Sequence, residues 1–287
     1  TSTLVNDNGP YPLGHHPVCW IYTDRHYGHG NINIIEAIKY SCNYYFYEAG
    51  YRLGIDTIAD YAYKYGLGKK TGIELSGESP GIVATKEYKK EQTGEEWQLG
   101  ETLSSAIGQS YNSYTPIQIA RYISLIANGG KAIDVSIIKS VTDANGNTVS
   151  KEEIEQKVNE KLGIDDSANV PDLNIKEETL DAIRKGMKGV TSESGGTAYY
   201  VFHDLGMDIG GKTGSAETGI DDEVNGWFAG FAPYDDPEIV VVVVIENAGA
   251  GGNVATAGKE IIQKYFGMNS KKLNEDTTAI PSTQTNN

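Results

Sequence analysis

The stretches 207-MDIGGKTGSAE-217, 225-NGWFAGFAP-233 and 238-EIVVVVVIEN-247 decide the fold of this chain. They are rich in β-branched, aromatic or small residues, and short polar or proline-containing segments separate them, which indicates consecutive β-strands. The third is apolar on consecutive residues, as expected of a strand covered on both faces. Because a helical pattern, 255-ATAGKEIIQKYFG-267, follows, we expect an α/β (mixed) fold with an antiparallel sheet flanked by helices.

Helical patterns upstream predict a helical subdomain beside the sheet. The segments 44-YYFYEAGYRLG-54 and 55-IDTIADYAYKYG-66 are two of its helices, and Gly66 is suited to end the second one in a left-handed conformation. The clearest helix is 115-TPIQIARYISLIANGG-130, where Thr115 serves as the N-cap.

Several segments lack clean periodicity. The composition of residues 1–30 predicts an irregular surface segment. That of residues 67–114 predicts a loop-rich region. A hairpin is expected around Asn145-Gly146, and an acidic helical insertion within 150–181.

Composition limits the function classes. Of 287 residues, 39% are hydrophobic and 22% charged, which is ordinary for a globular protein. The formal charge of −15 argues against nucleic acid or an anionic membrane surface as the main partner. The two cysteines, Cys19 and Cys42, fit a disulfide, a metal site or free thiols equally well by count alone.

Two short motifs are candidates for chemistry, namely Ser41-Cys42-Asn43 and Lys212-Thr213-Gly214. Each has a second copy elsewhere, Ser110-Tyr111-Asn112 and Lys70-Thr71-Gly72. Context separates the copies, because Lys212 follows two glycines in a predicted strand, where a cation can approach a substrate carboxylate closely. Lys70 lies in a predicted loop, where a solvated side chain is the simpler interpretation.

The order and spacing of five segments resemble the transpeptidase domain of class B penicillin-binding proteins, nearest to the elongation type. The segments are 28-GHGNINIIEAIKYSCNYYFYEAGYRLG-54, 65-YGLGKKTGIELSGESPG-81, 107-IGQSYNSYTPIQIARYISLIANGG-130, 210-GGKTGSAET-218 and 225-NGWFAGFAPYDDPEIVVVVVIENAG-249. The resemblance implies the penicillin-binding and β-lactamase-like fold over residues 1–268, as an incomplete transpeptidase domain. Residues 269–287 form a polar tail that we expect to be disordered.

The resemblance also implies roles for individual residues. The family forms an acyl-enzyme on a serine in an S-x-x-K motif, assisted by S-x-N and K-T-G motifs. Ser41 would pass a proton between the active-site lysine and the leaving amine, and Asn43 would hold the substrate amide. Lys212 would supply positive potential at the K-T-G motif, which includes Gly214. Substrate carboxylate contacts would come from Thr213 and Ser215, and the backbone N–H of Ser215 would be an oxyanion donor.

The S-x-x-K motif of the family lies upstream of S-x-N, and residues 1–40 contain no such motif. The single copy, Ser136-Ile137-Ile138-Lys139, lies on the wrong side of S-x-N and in a predicted strand, so we reject it as the nucleophile. We therefore expect the nucleophile and its lysine in an upstream part of the same protein.

Some elongation-type members hold zinc beside S-x-N, and this resemblance implies a ligand set of Asp7, Cys19, His29 and Cys42. Asp24 and His26 are the reserve ligands. Carboxylate, thiolate and imidazole are the groups that zinc favours. The alternatives are a Cys19–Cys42 disulfide or two free thiols.

The function implied is a peptidoglycan D,D-transpeptidase that cross-links stem peptides and is acylated by β-lactams. The alternatives are a β-lactamase or β-lactam sensor of the same fold, or a non-catalytic cell-wall scaffold. The family also implies a location at the extracytoplasmic face of the bacterial cell membrane, a role in cell shape or division, and a membrane glycosyltransferase as partner.

Overall fold

The computed structural model describes residues 2–164, 168–220 and 223–268. Its helices are α1 (Trp20–Arg25), α2 (Ile34–Tyr40), α3 (Asn43–Leu53), α4 (Ile55–Lys64), α5 (Lys86–Thr93), α6 (Leu99–Ala106), α7 (Pro116–Ala127), α8 (Lys151–Leu162), α9 (Glu177–Ser192), α10 (Tyr199–Phe202) and α11 (Gly251–Tyr265). Its strands are β1 (Val5–Asp7), β2 (Gly30–Ile32), β3 (Gly210–Glu217), β4 (Val224–Ala232) and β5 (Ile239–Ile245). No helix among these residues is both long and apolar enough to span a membrane.

The three strands predicted from the sequence form one antiparallel sheet in the order β3-β4-β5, which confirms the mixed fold. Helices α7, α9 and α11 pack against it. The main core includes Phe228 and Phe231 of β4, both fully buried, and Val254 and Ile262 of α11. Helix α11 approaches β4 closely at Gly258, where an added Cβ would lie 2.4 Å from the Phe228 ring.

The predicted helical subdomain is also confirmed. Helix α4 ends just before Gly66, whose φ of +81° is left-handed. In helix α7 the Thr115 side chain caps the first turn and Pro116 is its first residue, as the sequence predicts. Helices α3 and α6 pack against each other beside the N-terminal segment.

The prediction of an irregular surface segment over residues 1–30 is only partly right, because the segment contains β1 and α1 and several buried residues. Strand β1 pairs antiparallel with β2, which begins at Gly30, and Tyr11 and Cys19 are buried with exposed fractions of 1% and 0%. Tyr11 packs edge-on against Tyr44 of α3, with ring centroids 5.0 Å apart. The buried residues of this segment share a small core with residues of α2, α3 and α6, and no periodic pattern within the segment predicts it.

The loop-rich interpretation of residues 67–114 misses α5 and α6. Helix α5 has only one buried residue, Lys89, so it carries no apolar stripe that a sequence pattern could reveal. The Lys89 ammonium donates 2.8 and 2.9 Å hydrogen bonds to the Glu96 carbonyl and the Glu101 carboxylate, which offsets its burial.

The predicted hairpin at Asn145-Gly146 is reduced to a turn closed by one antiparallel bridge between Thr142 and Thr148. The Asp143 carboxylate accepts hydrogen bonds from the backbone of Asn145 and Asn147, so a side chain holds this turn. The expected insertion helix is α8. The predicted tail, residues 269–287, lies outside the described residues.

Candidate active site

A hydrogen bond joins the two predicted motifs. The Lys212 ammonium on β3 donates to the Ser41 hydroxyl at 2.8 Å, although 171 positions separate these residues. Asn43 follows as the first residue of α3, and Thr213, Gly214 and Ser215 continue along β3. The structure therefore brings Ser41 and Lys212 into contact at the junction of the helical subdomain and the sheet.

The conformation of Ser41 follows from the way α2 ends. Ser41 is its C-cap with φ of +54° and ψ of +48°, and the Cys42 N–H donates to the Ala37 carbonyl at 3.0 Å. A non-glycine residue in this left-handed region costs roughly 1–2 kcal/mol. Backbone strain of this kind is frequent at functional sites. Here it turns the chain sharply, so that Ser41 lies between two helices.

The strand segment that leads to Lys212 packs closely against the rings of β4. Gly210 and Gly211 precede Lys212 on β3, and a Cβ on Gly210 would lie 2.3 Å from the Phe231 ring. The Lys212 ammonium donates a second hydrogen bond, to the Thr213 carbonyl at 2.9 Å. Burial disfavours the charged ammonium and lowers the pKa of Lys212 to about 8.

Two further groups hold the hydroxyls of β3. The Ser215 hydroxyl accepts a 3.0 Å hydrogen bond from the backbone N–H of Gly251, the first residue of α11. The Thr213 and Thr197 hydroxyls lie 2.7 Å apart. A Cβ on Gly251 would lie 2.2 Å from the Gly214 carbonyl oxygen, so only glycine allows α11 to start this close to β3.

Three residues that contact this site were not predicted from the sequence, namely Thr197, Gly251 and Gln109. The Gln109 side chain donates a hydrogen bond to the Ser215 carbonyl at 3.4 Å. The flanking glycines are the only available signal for the first two residues. Gly196, for example, lies so near α9 that its Cβ would be 2.2 Å from the Gly189 carbonyl oxygen. Nothing in the spacing of Gln109 indicates its contact.

The Gln109 contact also shows how Ser215 is oriented. The backbone N–H and carbonyl of one strand residue point to the same edge of the strand. The Ser215 carbonyl faces Gln109. Ser215 therefore directs its N–H away from β4, towards the open edge of β3.

A buried cluster lies directly beside this site. One ligand atom from each of Asp7, Cys19, His29 and Cys42 falls within 4.8 Å of all the others. The Asp7 carboxylate contacts the His29 Nδ1 atom at 2.9 Å and accepts from the Cys42 thiol at 3.3 Å. The Cys19 sulfur accepts a 3.2 Å hydrogen bond from the Asn43 backbone N–H. The cluster thus touches the S-x-N motif at two positions.

The cluster has the electrostatics of a charged network. The neighbouring Cys42 side chain and a hydrogen bond with His29 lower the pKa of Cys19, although burial opposes this. Burial alone would lower the pKa of His29, but hydrogen bonds to Asp7 and Cys19 raise it to about 9. No disulfide joins Cys19 and Cys42, and Asp24 and His26 are not members of the cluster.

The second copies of the motifs make internal contacts instead. Both the backbone N–H and the hydroxyl of Thr71 donate to the Glu78 carboxylate at 2.6 Å. The Asn112 side-chain oxygen accepts from the Ala84 backbone at 3.0 Å. The Ser136 hydroxyl donates to the Glu74 carboxylate on an exposed segment outside the helices and strands of the described residues.

Residues 3–263 match the family described as "Penicillin binding protein transpeptidase domain". The chain is 32% identical over 255 residues to the peptidoglycan D,D-transpeptidase MrdA of Haemophilus influenzae, covering 83% of this chain and 37% of MrdA. It therefore spans less than half the length of this relative.

Solved structures of penicillin-binding proteins have the same fold. Pseudomonas aeruginosa PBP2, in complex with WCK 5153, superposes with a TM-score of 0.78 at 30% identity, over 92% of this chain and 56% of that one. Helicobacter pylori PBP2, in complex with MreC, gives a TM-score of 0.73 at 25% identity, over 93% of this chain and 45% of that one.

We expect Lys212 to titrate near pH 8, well below the 10.5 of an unburied lysine. Because the unfolded chain then binds more protons than the folded one between these values, the contribution of Lys212 to the free energy of unfolding rises with pH through this window. Carbon-13 NMR of labelled lysine side chains measures this directly, and Lys212→Met assigns the signal. A titration midpoint of the Lys212 signal at or above pH 10.5 would contradict the lowered pKa.

Proposed function

The chain belongs to the family of penicillin-binding protein transpeptidase domains, and we propose that it forms most of the active site of a serine-type peptidoglycan D,D-transpeptidase. The observation that carries the proposal is the 2.8 Å hydrogen bond from the Lys212 ammonium to the Ser41 hydroxyl. The substrate is a peptidoglycan stem peptide, and β-lactams acylate the same site. MrdA of Haemophilus influenzae bears the name of this activity, which favours a transpeptidase over a β-lactamase or a β-lactam sensor.

The hydrogen bonds of Ser41 suit it to proton transfer. A serine hydroxyl has one proton to donate and two lone pairs that accept. Because the Ser41 oxygen accepts from the Lys212 ammonium, its own proton is free to point elsewhere, towards the leaving amine of the substrate. The lysine of the S-x-x-K segment would return a proton to this oxygen. The positive charge of Lys212 stabilises negative charge that develops on this oxygen.

The same reasoning applies to the groups that bind the substrate carboxylate. The Ser215 oxygen accepts from the Gly251 N–H, so the Ser215 proton is available to a carboxylate. The Thr213 hydroxyl lies one residue after the Lys212 cation on the same strand. Asn43 would hold the substrate amide, and the Ser215 N–H at the open strand edge would donate to the oxyanion.

The catalytic serine and its lysine would come from an S-x-x-K segment of the same protein that lies upstream of residues 1–287. Ser136 does not suit the role, because its hydroxyl is bonded to Glu74 on an exposed segment. Strand β5 pairs only with β4 among the described residues, so its other edge offers free backbone groups to a further strand. Such pairing is one way in which another segment of the protein would join this domain.

We propose the extracytoplasmic face of the bacterial cell membrane as the location, with cell-shape maintenance as the biological role. The complex of Helicobacter pylori PBP2 with MreC supports a partner in the elongation machinery. A membrane glycosyltransferase of that machinery remains the partner that we predict.

We also propose that Asp7, Cys19, His29 and Cys42 hold a structural zinc ion. Their ligand atoms are close enough to share one ion, and the His29 Nδ1 atom faces both the Asp7 carboxylate and the Cys19 sulfur. Two cysteines, which bind as thiolates after losing their protons, with one imidazole and one carboxylate are a donor set that fits zinc. The ion would neutralise the buried thiolates and stabilise the loop that positions Ser41.

Replacing Ser41 by alanine is expected to slow acylation by a fluorescent penicillin about 10²–10⁴-fold, because the proton relay is lost. The measurement uses the longer protein that contains this chain and its S-x-x-K segment. Ser136→Ala is the matched control and should react like the wild type. Equal rates for Ser41→Ala and the wild type would contradict the assigned relay.

The purified protein is expected to contain one zinc ion per chain, measured by elemental mass spectrometry. His29→Ala should lose the ion and lower the melting temperature, since metal binding contributes to folding. His26→Ala, on the same loop, should retain the metal. A metal content that is unaffected by His29→Ala, or a Cys19–Cys42 disulfide in the intact protein, would contradict the zinc proposal.

A further inference from the structure

Trp20, the first residue of α1, reaches across to the end of α2. Its indole N–H donates a 3.0 Å hydrogen bond to the backbone carbonyl of Tyr40, the last residue of that helix. The residue is 42% exposed, so apolar burial alone does not account for its position. The only polar group of the Trp20 side chain is thus bonded to the peptide that joins Tyr40 to Ser41.

This peptide bond leads directly into Ser41. The last carbonyls of a helix have no partner within the helix, and another group must satisfy them. The Tyr40 carbonyl belongs to the same rigid peptide plane as the Ser41 N–H. A hydrogen bond that fixes this plane restricts the ψ of Tyr40 and the φ of Ser41. The φ of Ser41 is the strained value of +54°.

Side-chain rings reinforce the same contact. The Tyr40 ring stacks on the His29 ring, with centroids 5.7 Å apart and planes at 14°. The Trp20 ring meets His29 edge-on at 5.8 Å. On another side, a Cβ on Gly195 would lie 3.0 Å from the Tyr40 ring, so the loop before α10 packs closely against it. Tyr40 is therefore fixed through both its carbonyl and its ring.

We propose that Trp20 is a positioning residue for Ser41. It touches neither the Ser41 hydroxyl nor the Lys212 ammonium. It acts through the Tyr40 carbonyl, and holds the backbone turn that directs the Ser41 hydroxyl towards Lys212. Trp20 directly follows Cys19, so the turn is tied to the buried cluster as well. This inference rests on the proposed function, in which Ser41 transfers a proton.

The test removes the indole N–H and keeps an aromatic ring. Trp20→Phe does this, and benzothienylalanine at position 20 does it with almost no change of shape, because sulfur replaces the N–H. Trp97→Phe is the matched control. Its indole N–H donates a 2.8 Å hydrogen bond to the Thr102 hydroxyl, away from Ser41, so it loses the same kind of bond.

The first measurement is amide hydrogen exchange of the chain itself, which requires no catalytic activity. The Ser41 and Cys42 N–H groups donate to the Ile38 and Ala37 carbonyls in the turn. Both changes at Trp20 should speed exchange at these two amides about tenfold, which corresponds to the loss of one hydrogen bond. Trp97→Phe should leave them unchanged. Unchanged exchange in both Trp20 variants would overturn the proposal.

The second measurement is acylation of the longer protein by a fluorescent penicillin. The acylation rate at saturating penicillin should fall about tenfold in both Trp20 variants, while the dissociation constant of the first complex stays the same. A wild-type rate beside faster exchange would overturn the positioning role, as would a changed dissociation constant with a normal rate. If the wild type is not acylated at all, the proposed function fails, and with it the effect of Trp20 on acylation. Exchange then still decides whether Trp20 holds the turn.

Discussion

The hydrogen bond from Lys212 to Ser41 is the contact on which the site depends, because it joins a strand of the sheet to the end of a helix 171 positions away. For this bond to form, β3 must carry a cation against the packed core, and α2 must end in a left-handed turn. The first requirement explains the glycines before Lys212, which leave space for the rings of β4. The second explains why a serine occupies a backbone conformation that ordinarily favours glycine.

Most hydrogen bonds around the Lys212–Ser41 contact involve backbone groups of the two motifs or of the residues next to them. Helix α11 begins against the Gly214 carbonyl and donates its first N–H to Ser215. The Asn43 N–H is held by the Cys19 sulfur, and the Tyr40 carbonyl by the Trp20 indole. Buried polar groups are costly unless they are paired, so these bonds both satisfy the groups and fix the two motifs in one arrangement. Such preorganisation is what electrostatic stabilisation of a reaction requires.

The sequence was most informative where residues are periodic or where a motif is intact. The sheet and α7 follow directly from apolar patterning and capping residues, and family resemblance identifies Ser41 and Lys212. The N-terminal segment could not be predicted, because its core depends on single residues such as Tyr11 and Cys19 that meet α3 only in three dimensions. Helix α5 could not be predicted either, because its one buried residue is a lysine and the helix therefore has no apolar stripe. The groups that support the site were equally hidden, because contacts such as that of the Trp20 indole with a backbone carbonyl depend on the relative placement of packed elements.

The central claim is that this chain supplies the proton relay and the carboxylate site, while another segment supplies the nucleophile. Peptide mapping after reaction with a fluorescent penicillin tests it most directly, with this chain alone and with the longer protein compared side by side. We predict label only in the longer protein, on a serine of an S-x-x-K motif outside these residues. Label on Ser136, or on any serine of the chain alone, would contradict this claim.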